Sequence, residues 1–111
     1  MEIFEEKTAN CLILELKGRL DATNSNSLEE KLEQYIAQKQ NNMILNCSGL
    51  EYISSSGLRV LLSHLKKIRF QNGKLVLCNL NQNLMEIFTI SGFSHLFEIV
   101  ATLEDAKQKF V

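Results

Sequence analysis

Three consecutive serines and a glycine, Ser54-Ser55-Ser56-Gly57, stand between an apolar run and an amphipathic one. The run before them, Met43-Ile44-Leu45-Asn46-Cys47, has the character of a strand. The run after them places Leu58, Leu61, Leu62, Leu65 and Ile68 at helical spacing. The hydroxyls therefore fall where a loop becomes a helix. The first N–H groups of a helix have no partner inside it, and a serine hydroxyl is among the best groups to satisfy one. One serine as cap, the others solvated and Gly57 for tight packing is the plain structural role. The same place also suits a phosphate, because free N–H groups and the helix dipole favour an anion. Phosphorylation would add about −1.5 to −2 charges at a surface point and leave the fold intact.

The other reactive side chains are scattered. His64 lies mid-helix and His95 after a helix, neither with a Cys, Asp or Glu at metal-binding spacing. Each reads as a solvated surface histidine. A Ser-His-Asp triad would need Ser55, a histidine and Asp21 or Asp105 to converge, and nothing in the spacing supports that. Neither GxxxxGK(S/T) nor GxGxxG is present. Cys11, Cys47 and Cys78 are odd in number, form no CxxC and fall in apolar runs. They read as small buried hydrophobes in a reducing compartment. These features predict no enzyme, no cofactor and no metal.

Periodicity supplies the frame that holds the serines in place. Glu2–Glu5 and Cys11–Lys17 read as strands around a polar turn. Leu12, Leu14 and Leu16 form the more apolar face of the second. Gly18-Arg19-Leu20-Asp21 continues or bends that strand, with the glycine marking a bulge or a close approach. Ser27 and Glu30 have capping-box spacing, and Leu28, Leu32, Tyr35 and Ile36 give the following helix its apolar face. After Met43–Cys47, Ser48-Gly49 is expected to turn the chain, with Leu50, Tyr52 and Ile53 pinning the loop that presents the serines. Asn72-Gly73 ends the serine-headed helix. Leu75-Val76-Leu77-Cys78, apolar throughout, predicts a strand buried on both faces. A third helix buries Leu84, Ile87 and Phe88 and stops at Gly92. Leu96–Val100 is expected as the last strand, and Thr102 caps a short final helix. The alternation predicts an α/β chain with parallel crossovers and an opening hairpin, four helices on a small mixed sheet.

Composition sets the bounds. The 111 residues suffice for one domain with its own core, taken here as 1–111. With a net charge of −1 there is no basic patch of the kind nucleic acid requires. The longest apolar run falls far short of the ~20 residues needed to span a bilayer. Met1–Lys7 is acidic and lacks the apolar region of a secretory signal. A cytoplasmic chain that neither binds nucleic acid nor inserts into a membrane is expected.

Three segments carry a resemblance. Leu16-Lys17-Gly18-Arg19-Leu20-Asp21 is similar to an LxGxLD pattern, and Leu45 through Leu58 to LDLSGVxFIDSSGL. Ile90-Ser91-Gly92-Phe93 through Leu96-Phe97-Glu98-Ile99 is similar to LSGLxxLFxI. In order and spacing these resemble the STAS domain family, in particular its small stand-alone bacterial anti-sigma factor antagonists. The resemblance implies a STAS-like fold and a partner switch. An unphosphorylated antagonist binds an anti-sigma factor, itself a serine kinase of the histidine-kinase-like ATPase fold, and so frees a sigma factor. The kinase phosphorylates one serine, and a PP2C-type phosphatase resets it. Aligned on Gly57, that serine is Ser55, with Ser54 and Ser56 as lesser acceptors. Ser54, Ser55, Ser56, Gly57, Arg59 and Asp21 are then the expected partner face, with the Gly18–Asp21 bend and the start of the first helix nearby. Two acids of the pattern are neutral here, at Asn46 and Ser54. The alternative is a STAS scaffold that does not switch, or an accessory subunit of a lipid or anion transport system.

Overall fold

The computed structural model describes residues 1–111. Its strands are β1 (Glu2–Lys7), β2 (Leu12–Leu20), β3 (Asn42–Ile53), β4 (Lys74–Cys78) and β5 (Glu98–Val100). Its helices are α1 (Ser25–Ala37), α2 (Ser55–Phe70), α3 (Gln82–Ile90) and α4 (Leu103–Gln108), with a 3-10 turn at Phe93–His95. The strands form one sheet in the order β1-β2-β3-β4-β5. β1 pairs antiparallel with β2, and every later pairing is parallel. This is the expected hairpin followed by strand–helix–strand units.

Alternation of the strands sorts the core onto two faces. Leu12, Leu14 and Leu16 of β2, with Met43, Leu45 and Cys47 of β3, pack with residues of α1, α2 and α3. Ile13, Ile44, Val76 and Cys78 face the other way and meet Ala106 of α4. β4 is thus buried on both faces, as its unbroken apolar run requires.

Several expectations are corrected. Ser48-Gly49 does not turn the chain. β3 runs through it to Ile53, because β2 continues beside it: Lys17 pairs with Gly49 and Leu20 with Ile53. The register shifts twice on the way, around Lys17 and at Gly18, where φ is +101°. Both irregularities place an extra residue on β3, and the second lies opposite Gly18, where a bulge was inferred. The first turns Leu50, rather than residue 49, into the core. Tyr52 is not a buried anchor; it is exposed, with the Arg19 guanidinium 4.4 Å above its ring. The Ser27–Glu30 capping box does not form, since α1 starts three residues earlier. Asn24 takes the cap position but spends its side chain on Asp21 N–H and the Arg19 carbonyl. Only Glu98–Val100 of the expected last strand pairs in the sheet, because the 3-10 turn carries the chain up to it.

His64 is the other correction. It is fully buried, and its Nδ1 lies 2.9 Å from the Val60 carbonyl. Its Nε2 sits 3.3 Å from a carboxylate oxygen of Glu33 on α1, which also receives Lys67. The residue flanks the apolar stripe of α2 on the side that α1 covers, and periodicity within α2 cannot show a neighbour. His95 is exposed.

All three cysteines are free and buried. Burial, with a smaller contribution from neighbouring Cys78, pushes the Cys47 thiol up to about 12, and burial raises Cys78 to about 11. Both stay protonated at neutral pH, so neither supplies the thiolate that alkylation needs. Iodoacetamide at mildly alkaline pH is expected to leave Cys47 and Cys78 unmodified in the native protein and to label all three cysteines in urea. Native labelling of Cys47, read by mass spectrometry, would place it outside the core. Leu45→Ala removes a fully buried side chain and is expected to lower unfolding stability by about 2–5 kcal/mol in urea denaturation.

Candidate functional site

The serines stand at the carboxyl ends of two adjacent parallel strands. β2 ends at Leu20 and β3 at Ile53, side by side. Ser54 N–H donates to the Leu20 carbonyl at 2.8 Å, which ties the start of α2 to the end of β2. Ser54 is the helix cap: its backbone is extended and its Oγ accepts from Gly57 N–H at 3.2 Å. Of the roles open to an acid at this position, the serine keeps the capping one. The other neutral replacement, Asn46, ties β3 to the residue just beyond β4. Its Oδ1 accepts from Asn79 Nδ2 at 3.0 Å and from Ser48 N–H at 3.2 Å.

Gly57 supplies the close packing. A Cβ there would lie 2.7 Å from Leu20 Cγ and 3.0 Å from Ile53 Cγ1. The head of α2 thus rests directly on the ends of both strands, leaving Ser55 exposed and Ser56 half-buried.

The two serines open onto different surfaces. Ser55 lines a shallow groove of about 340 Å³ together with Tyr52, Ile53, Leu58, Ile87, Ile90 and Ser91. Five of these seven residues are apolar and none is charged. Ile90, at the end of α3, is 86% exposed, an isoleucine held in solvent at the rim. Ser56 instead lines a polar cleft between α1 and α2 with Arg59, Val60, Ser63, Ser25, Asn26 and Glu29. Asp21 follows Leu20 and so stands next to Ser54. Its carboxylate accepts from the hydroxyl and the N–H of Thr23, which hold it below the usual carboxylate range with help from Arg19.

The expected face is therefore assembled but divided. Ser54, Gly57 and Asp21 shape the junction, Ser55 belongs to the groove, and Ser56 with Arg59 belongs to the cleft. Sequence reasoning missed the contribution of α3, above all Ile90, and placed the start of the first helix near the face without naming Ser25, Asn26 or Glu29. An exposed isoleucine at the end of an amphipathic helix was the available signal for the first. None of these segments is near Ser55 in sequence.

A mixed five-stranded α/β domain that presents serines at the head of a capped helix, where two parallel strands end, is the class these observations define. The chain belongs to the STAS domain family, whose model matches residues 4–106. It is 36% identical over 110 residues to a candidate anti-sigma factor antagonist of Bordetella bronchiseptica, BtrV, covering 99% of this chain and 95% of that protein. The fold is shared with a candidate anti-sigma factor antagonist from Thermotoga maritima. That similarity has a TM-score of 0.92 at 19% identity and covers 97% of this chain and 93% of that one. It is also shared with the Bacillus protein SpoIIAA, solved in unphosphorylated and phosphorylated forms. Those similarities have TM-scores of 0.76 and 0.75 at 22% and 23% identity, covering 97% of this chain and 96% and 98% of theirs. No helix here is long and apolar enough to cross a membrane.

Gly57→Ala is expected to cost about 1–3 kcal/mol in urea denaturation, since the new methyl meets the branch point of Leu20 rather than a flexible end. Ser54→Ala should cost about 1 kcal/mol through the lost cap. Ser56→Ala, which removes no bond, should stay within about 0.5 kcal/mol. Unchanged stability of Gly57→Ala would mean that α2 does not rest on Leu20.

Proposed function

We propose that this chain is an anti-sigma factor antagonist that works as a phosphorylation-controlled partner switch. Its partner is an anti-sigma factor that is also a serine kinase of the histidine-kinase-like ATPase fold, and Ser55 is the acceptor. A PP2C-type phosphatase returns it to the binding state. The chain itself carries out no catalysis and acts in the cytoplasm. The relationship to BtrV supports the antagonist role, and the existence of a phosphorylated form of SpoIIAA supports a phosphate on this fold.

The observation that carries this reading is the position of Ser55 in a mostly apolar, uncharged groove with an exposed isoleucine on its rim. Such a groove suits an apolar side chain of a partner, and a neutral hydroxyl inside it tolerates burial if it finds one bond. A phosphate does not. Burying a dianion against Leu58, Ile87 and Ile90 without a cation costs several kcal/mol. A loss of ~4 kcal/mol weakens binding roughly a thousandfold. The dipole of α2 offsets only ~1 kcal/mol of it. Arg59, one helical turn on, lines the neighbouring cleft with Ser56 and not the groove. Ser54, Gly57 and Asp21 shape the junction beside the groove, with Ser54 as the cap, and Ser56 and Arg59 extend the contact face toward α1.

The test is a pull-down from native lysate with wild type, Ser55→Asp and Ser55→Ala, partners being identified by mass. Wild type and Ser55→Ala are expected to recover an ATPase-fold kinase that Ser55→Asp does not retain. Incubation of that kinase with ATP should place phosphate on Ser55 of the wild type and none on Ser55→Ala. Equal recovery by wild type and Ser55→Asp, or phosphate on another residue, overturns the assignment.

A further inference from the structure

We propose that the polar cleft between α1 and α2 is a binding site for a small phosphate monoester that carries hydroxyl groups, such as a polyol phosphate. The cleft lies behind the serine that the switch uses, and the inference does not depend on that switch. Its volume is about 340 Å³, at the lower end of what small-molecule sites occupy.

The side chains that line it are uncommitted. Arg59 makes no ion pair and stacks on no ring, although the chain's other two arginines are engaged. Arg19 lies over Tyr52, and Arg69 donates to the Leu96 carbonyl. A guanidinium presents paired donors that match a phosphate bidentately. Ser25 is only 6% exposed, and its hydroxyl, which lines the cleft, has no hydrogen-bond partner in the protein. A hydroxyl at the wall of a cleft, on a residue otherwise packed into the protein and with no bond inside it, is free to bond a ligand atom. Ser56 and Ser63 add two more free hydroxyls to the same walls.

The backbone favours the same charge. Ser25 and Asn26 begin α1, and Ser56 lies in the first turn of α2, so two helix N-termini border one cleft. Neither first turn contains an acid, and both dipoles therefore act on the cleft unopposed from within their own first turns.

Glu29 is the group that narrows the ligand. Its carboxylate also lines the cleft and repels a bare dianion, but it accepts hydrogen bonds from hydroxyls. A ligand with a phosphate for Arg59 and a hydroxyl for Glu29 satisfies both, whereas inorganic phosphate satisfies only the first.

The test is an amide-resolved NMR titration of the isotopically labelled chain with glycerol 3-phosphate, with inorganic phosphate and with glycerol, at constant ionic strength. Glycerol 3-phosphate is expected to give saturable shifts centred on Ser25, Asn26, Ser56 and Ser63, with inorganic phosphate weaker and glycerol silent. Arg59→Gln should weaken glycerol 3-phosphate about tenfold. Glu29→Gln should narrow the preference over inorganic phosphate. Both side chains border solvent, and unshifted amides of β4 would report that each variant is folded. Shifts that do not saturate, an unchanged response in Arg59→Gln, or inorganic phosphate binding as tightly as the ester would overturn the proposal.

Discussion

Gly57 meets Leu20 and Ile53 with no room for a side chain between them, and everything exposed at the head of α2 takes its direction from that contact. The approach is possible because both strands end there and a glycine is the helix residue that faces them. Two hydrogen bonds hold the junction, one from Ser54 N–H to the Leu20 carbonyl and one from Gly57 N–H to Ser54 Oγ. A group anchored in this way presents neighbouring hydroxyls in fixed directions, and a binding surface needs such preorganisation.

The result is a helix head with two chemically opposite sides. On the α3 side Ser55 borders Leu58, Ile87 and Ile90, where apolar contact is favourable and added charge is costly. On the α1 side Ser56 borders Arg59, Ser25 and Ser63, where an anion finds donors. One residue of separation along a helix turns a side chain by about 100°, which is enough to send adjacent serines to different neighbours. The neutral residue at Ser54 fits this arrangement, since it supplies the cap without placing a fixed negative charge between the two sides.

The fold was legible in the sequence wherever burial follows a period. Leu12, Leu14 and Leu16 announced a core-facing strand, Leu75–Cys78 a strand buried on both sides, and Thr102 and Gly92 the start and stop of their helices. It was less legible where a neighbour overrides local preference. Ser48-Gly49 has turn chemistry, yet it stays in β3 because β2 extends alongside and β3 takes up its extra residues in bulges. His64 looked solvent-facing because nothing within α2 records that Glu33 of α1 lies against it.

The order of residues was enough to locate the site. Serines and a glycine between an apolar strand and an amphipathic helix put hydroxyls at a helix head, because capping and periodicity are local rules. The surroundings of each hydroxyl were settled by packing in three dimensions. Ile90 and Ser25 lie on helices far from Ser55 in the chain. They reach the two sides of α2 only because α1, α2 and α3 pack on one face of a single sheet, and packing of this kind is not written in the spacing of any one segment.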